Sequence, residues 1–181
     1  MCIRDRNGSG FTSLVNDSLF IYDLNRTKSP QYLQSFPGIE SVAANKNPYL
    51  LSLCGSQFGR GGVALLDLRC DQSDRNVYLP DSNTTASSRL SSSHTSSYDC
   101  VWIDEYHVAN CANDAVKIWD IRSTGGQTKC EMLPMKGCIE ALSYHSPSKT
   151  LYTSDDQGYI ISWDLTRMDR MKKGTLAQGF N

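Results

Sequence analysis

Apolar and polar positions along this chain fall into short runs that end in the same way four times. Leu19-Phe20-Ile21-Tyr22-Asp23-Leu24, Val63-Ala64-Leu65-Leu66-Asp67-Leu68, Val116-Lys117-Ile118-Trp119-Asp120-Ile121 and Ile160-Ile161-Ser162-Trp163-Asp164-Leu165 each carry an apolar run, an aromatic or Leu, an Asp, and a Leu or Ile. The aspartates stand at 23, 67, 120 and 164, at spacings of 44, 53 and 44 residues. A recurrent period of this size is the mark of a repeat protein, whose surface serves binding more often than chemistry.

Within each repeat the pattern predicts strands joined by short turns. Residues 139–144 alternate as a half-buried strand does, 145–149 turn at Pro147, 151–154 form a second strand, 155–158 turn again, and 159–165 form a third. The repeat before it gives strands at 98–103, 107–111 and 115–121, and the one before that at 39–43, 49–54 and 63–68. An outer strand follows at 31–36, 76–79 and 129–133. The first repeat begins near Phe11, at its middle strand, with no opening strand. The longer middle spacing comes from residues 81–97, which hold eight serines and three threonines and predict a mobile surface loop. Two readings of that loop stand, a phosphorylated regulatory segment and a neutral insertion.

The four endings, with Trp119-Asp120 and Trp163-Asp164 as they stand and Tyr22-Asp23 and Leu66-Asp67 as variants, resemble the WD-repeat β-propeller family over residues 11 to 175. The resemblance implies an all-β fold, a β-propeller fragment of about three full four-stranded blades plus part of another. The repeat units are 11–36, 37–80, 98–134 and 135–181. It also implies that Tyr22, Asp23, Leu66, Asp67, Trp163 and Asp164 are structural, with the aromatic packed between blades and the Asp accepting turn N–H groups. The family's Gly-His dipeptide is missing; Gly137-Cys138 stands in its place in the last repeat, so the hydrogen bond from such a His to a turn Asp cannot form there. Propellers of this kind have about seven blades, within the usual range of about four to eight, so the chain is expected to be a piece of a longer protein. Residues 1–10 are set aside as a non-native or disordered N-terminus, because Met1 to Arg6 resemble translated adapter sequence.

Composition narrows the function. Of 181 residues, 39% are apolar and 20% charged, and 18 basic side chains nearly cancel 19 acidic ones. That balance argues against an electrostatic grip on nucleic acid or an anionic membrane. No run approaches the roughly 18 apolar residues of a membrane span, and no signal-peptide pattern opens the chain. The seven cysteines form no Cys-x-x-Cys pair, which argues against zinc. They are read as reduced thiols of an intracellular protein of the cytoplasm or nucleus, with a Cys100–Cys111 disulfide as the alternative.

Catalytic chemistry finds no constellation. His94, His107 and His145 lie in a loop, at a strand start and in a turn. There is no Gly-x-Ser-x-Gly elbow, and Gly59-Arg60-Gly61-Gly62 lies between strands, with no following helix to hold phosphate. The adjacent Asp155 and Asp156 read as turn caps. No catalytic, metal or cofactor residue is assigned. One partner-binding candidate stands out. Trp119-Asp120-Ile121-Arg122 matches the Trp-Asp-x-Arg core of propellers that dock on cullin-type ubiquitin ligase adaptors, through Trp119, Asp120 and Arg122. The other reading is an ordinary Arg after the dipeptide. Asn113 replaces the Asp preferred six residues earlier, and Arg69 is the other Arg at this place. The expected function is a non-catalytic protein-protein interaction scaffold. The alternatives are a substrate receptor of a cullin-type ubiquitin ligase, and a ligand-binding or enzymatic propeller.

Overall fold

The computed structural model describes residues 2–6, 10–23, 25, 31–56, 62–70, 76–79, 98–112, 115–123, 128–132 and 137–168. These residues are all-β and form four antiparallel sheets in chain order. Sheet I is β1 (Cys2–Arg6), β2 (Gly10–Val15), β3 (Ser18–Asp23) and β4 (Gln31–Ser35). Sheet II is β5 (Ile39–Ala44), β6 (Leu50–Gly55), β7 (Val63–Asp67) and β8 (Asn76–Leu79). Sheet III is β9 (Cys100–Trp102), β10 (His107–Ala112), β11 (Ala115–Asp120) and β12 (Thr128–Met132). Sheet IV is β13 (Ile139–His145), β14 (Thr150–Asp155) and β15 (Ile160–Asp164). Every strand from β2 onward falls within two residues of where the apolar pattern put it.

One expectation is corrected. Cys2–Arg6 is not outside the fold: it pairs with β2 along its whole length, from Cys2 opposite Leu14 to Arg6 opposite Gly10. Sheet I therefore has its opening strand, and the three-stranded sheet is the last rather than the first. Backbone pairing asks nothing of side-chain pattern, and a segment carrying Arg4, Asp5 and Arg6 gives no apolar alternation to read. The serine-rich stretch 81–97 lies outside the described residues, as do Asn113, Asp114 and the basic residues after Arg167.

The core sits between the sheets. One apolar cluster joins Leu14, Leu19 and Ile21 of sheet I to Val42, Leu51, Leu53 and Leu66 of sheet II. A second joins Cys54, Val63 and Leu65 of sheet II to Cys100, Trp102, Val108 and Trp119 of sheet III. A third joins Ala109, Cys111, Val116 and Ile118 of sheet III to Leu142, Leu151 and Trp163 of sheet IV. Sheets II and III thus each have a backward face on the preceding sheet and a forward face on the following one, as alternation of side chains across a strand permits. The opening strands lie side by side, β1 on β5, β5 on β9 and β9 on β13.

Polar groups tie the same interfaces. Asp99, buried just before β9, accepts the Ser41 hydroxyl on Oδ1 at 2.7 Å and the Leu142 N–H on Oδ2 at 2.9 Å. Its Oδ1 also takes the Cys100 N–H at 2.9 Å, so one carboxylate spans the opening edges of sheets II, III and IV. The Trp102 indole N–H donates to the Ala43 carbonyl at 3.2 Å across the II–III interface. In sheet I, the tight turn at Asn16 and Asp17, with φ of 47° and 60°, suits a two-residue hairpin. Asp17 also holds the start of sheet II, its carboxylate accepting the Gly38 N–H at 3.2 Å.

Candidate functional site

The four repeat aspartates close one kind of corner. At the end of the third strand of each sheet, the Asp Oδ1 accepts the N–H two residues on. The donors are Asn25 to Asp23 at 2.9 Å, Arg69 to Asp67 at 3.0 Å, Arg122 to Asp120 at 3.0 Å and Thr166 to Asp164 at 2.8 Å. A short carboxylate reaches its own backbone two residues ahead and caps the turn. The next N–H closes the corner from the other side, Leu68 to the Tyr49 carbonyl at 2.8 Å, Ile121 to Tyr106 at 3.0 Å and Leu165 to Lys149 at 2.9 Å.

Sheets II and III add a side-chain layer to this corner. Arg122 forks onto its own Asp120, Nε to Oδ1 at 2.9 Å and Nη2 to Oδ2 at 2.8 Å, and its guanidinium carbon stands 4.5 Å from the Tyr106 ring centre. Arg69 does the same with Asp67, at 2.9 and 2.6 Å, with its guanidinium carbon 5.9 Å from the Tyr49 ring centre. The fork holds Asp120 down to about 2 against the opposing effect of partial burial, with the Arg122 N–H and His107 adding to it. Asp67 is lowered in the same way by Arg69. Asp164, with no Arg forked onto it, is lowered by the Thr166 backbone and side chain, with a smaller contribution from the charge of Arg167.

Behind the sheet III fork lies His107, buried at the start of β10. Its Nδ1 stands 2.8 and 2.9 Å from the two Asp104 oxygens, and its Nε2 stands 3.6 Å from Asp120 Oδ2. Asp104 also caps its turn, accepting the Tyr106 and His107 N–H groups at 2.8 Å each. Burial raises Asp104, but these N–H groups and the imidazole outweigh it and leave it lowered.

The residues before the aspartates share one place, opposite the second strand. Phe11 faces Tyr22, Leu51 faces Leu66, Val108 faces Trp119 and Leu151 faces Trp163. Trp119 and Trp163 are buried, and each indole N–H finds the residue two further along that strand, Asn110 Oδ1 at 2.7 Å and Thr153 Oγ1 at 3.1 Å. Sheet II fills the same spot with Leu53 against Leu66, both buried. Sheet I has Ser13 there, two residues along from Phe11, which faces Tyr22, and the Ser13 hydroxyl is buried without a partner.

Asp155 and Asp156 are turn caps. Asp155 Oδ1 takes the Gln157 and Tyr159 N–H groups at 3.1 and 2.8 Å, around Gly158 at φ +84°. Asp156 Oδ1 takes the Cys138 N–H at 3.1 Å. Asp155 Oδ2 is buried with no partner, and the residue across from this turn is Cys138, where a His would have brought a ring N–H. The five cysteines whose side chains are described are thiols rather than disulfides, Cys100 and Cys111 among them. Burial pushes the Cys111 thiol up to about 12, which makes it a poor nucleophile. Among the described residues no group of three or more His, Cys, Asp or Glu is placed to hold a metal ion.

Of the three residues singled out for partner binding, Trp119 is buried between sheets, Asp120 is partly covered and Arg122 is exposed. Sequence reasoning passed over Tyr49 and Tyr106, which lie 20 and 16 residues before their arginines and meet them only through the strand register. It also passed over Asp99, whose partners lie 58 and 43 residues away.

No family model matches the chain. It is 49% identical to Protein DSE1 of Candida glabrata over 99% of its own length and 31% of that protein. It is 47% identical to Protein DSE1 of Saccharomyces cerevisiae over 97% of the chain and 32% of that protein, and 43% identical to Protein DSE1 of Kluyveromyces lactis over 88% and 26%. The chain thus spans about a third of the length of the first two of these curated relatives and about a quarter of the third.

Proposed function

We propose that this chain is part of a WD-repeat-type β-propeller that serves as a non-catalytic interaction scaffold, a subunit or adaptor in an intracellular multiprotein complex. One observation carries the reading. Four sheets whose first three strands follow one another in the same order stack in chain order with their opening edges adjacent, and each closes its third strand with the same Asp corner. Sheets repeated about a shared edge present rows of turns to solvent on a rigid frame, and turns on a rigid frame are where proteins bind one another. A scaffold of this kind needs exposed anchors rather than a nucleophile and base.

The test uses the full-length protein. Gentle affinity purification with quantitative mass spectrometry is expected to return partners in near-stoichiometric amounts. A protein that runs alone in native extracts, or electron microscopy images with no ring of radial sheets, would remove the reading.

A further inference from the structure

The Asp corner works without Arg or Tyr. Sheet IV closes it with Thr166 at 2.8 Å and Lys149 at 2.9 Å, no longer than the 2.8 to 3.0 Å in sheets II and III. Sheet I closes its Asp turn with Asn25. The fold therefore does not account for the Tyr–Arg–Asp unit appearing in two neighbouring sheets on the same edge. Tyr49 and Tyr106 are 48% and 40% exposed, Arg69 and Arg122 side chains 59% and 57%. In each unit the Asp takes Nε and Nη2 and the Tyr ring covers one guanidinium face. Nη1, with its two N–H donors, makes no hydrogen bond among the described residues. A cation held on two sides has already lost its rotamer freedom, which lowers the entropy cost of a further contact. Tyr and Arg are the residues over-represented in interface hot spots.

From this we propose that the ends of β7 and β11, with Tyr49–Arg69 and Tyr106–Arg122, form a two-point docking edge for an acidic segment of another protein. One carboxylate sits on each Nη1 and apolar groups lie on the exposed ring faces. The two units are on adjacent sheets joined at this edge, where Asn45 Nδ2 donates to the Glu105 carbonyl at 3.2 Å. A single extended peptide crosses both. The neighbouring acids are engaged: Asp67 and Asp120 by the forks, and Asp104 by its turn and His107. Glu105, exposed beside Tyr106, disfavours an acid placed there, so the partner's carboxylates must register with the guanidiniums rather than cover the edge evenly. This assignment rests on the scaffold reading and names its ligand.

The experiment selects from a displayed library of random 12-residue peptides on the purified full-length protein and measures the enriched peptides by fluorescence anisotropy. The expected result is enrichment of sequences with two Asp or Glu. Affinity should fall about tenfold or more for Arg69→Gln with Arg122→Gln, a difference of about 1.4 kcal/mol, and should weaken as salt rises. Arg69→Lys with Arg122→Lys keeps the charge without the fork, and is expected to lose most of the affinity at an unchanged melting temperature. Arg167→Gln, on the sheet IV edge, is the control and leaves binding alone. Enrichment without acidic bias, no enrichment, or binding untouched by both double variants would overturn the docking edge. If native complexes persist through those variants the scaffold reading survives; if no complexes exist at all, that reading fails first.

Discussion

Sheets III and IV carry the same Trp-Asp ending in different surroundings. In sheet III, β10 is buried along its whole length and β11 up to Asp120. In sheet IV, β14 alternates between buried and less buried positions, and β15 buries only Trp163. Equivalent positions three residues before the Trp show the contrast: Val116 is fully buried and Ile160 is 70% exposed. Yet Trp163 is as well buried as Trp119. The aromatic belongs to the backward face of its sheet, so it packs on the preceding sheet whether or not another follows. The signature residue thus reports the interface behind it and is silent about the one ahead.

The strongest way to break this comparison is to remove the two indoles. Trp119→Ala should cost about 3–5 kcal/mol, with Asn110 Oδ1 losing its donor as well. Trp163→Ala should fall at the lower end of that range, because β15 is more exposed than β11, with Ile160 70% exposed, and relaxes into the cavity more easily. Chemical denaturation measures both, and a larger loss for Trp163→Ala would contradict the argument. Next comes Asp99→Ala, which strands the buried Leu142 N–H and the Ser41 hydroxyl across two interfaces and should cost about 2–4 kcal/mol. Hydrogen exchange should quicken at Leu142 before it does in β6; equal quickening everywhere would deny the carboxylate its bridging role.

The two faces can be compared directly. Val116→Ser should cost about 2 kcal/mol, while Ile160→Ser should stay within about 0.5 kcal/mol in the 181-residue chain. A cost at Ile160 confined to the longer protein would show that another segment covers sheet IV there. A smaller contrast lies in the residues paired with the signature position. Thr153→Ala leaves the Trp163 N–H unsatisfied and should cost about 1 kcal/mol, whereas Ser13→Ala removes an unpartnered hydroxyl and should be neutral or stabilising. Thermal melts ranking the two the other way would refute this. The smallest effect is the acid response. A lowered carboxylate contributes stability that is complete above its unfolded value, about 3.9, and is lost as pH falls through its folded one. For Asp120 that loss runs down to about pH 2. Asp120→Asn should flatten the melting temperature between pH 5 and 2 more than Asp164→Asn does, because only Asp120 is forked by an Arg.

The strands were legible because alternate burial on a stacked sheet writes itself into the sequence with period two. β1 was not, since Arg4, Asp5 and Arg6 leave no apolar alternation there to read. The Asp corner was legible because its partner is two residues away; the Tyr on the guanidinium was not, because a whole hairpin intervenes. Asp99 reads from sequence as one polar position in the 98–103 strand, and nothing local announces that Ser41 and Leu142 converge on it. The missing Gly-His dipeptide, by contrast, pointed to a gap that the structure shows as the lone Asp155 oxygen.

The backward-facing indole has a consequence for how such a chain is made. A ribosome releases sheet III before β15, so the surface that receives Trp163 is complete when that side chain emerges. Each new unit can consolidate on what is already built, without waiting for anything downstream, and synthesis and assembly then proceed in the same direction.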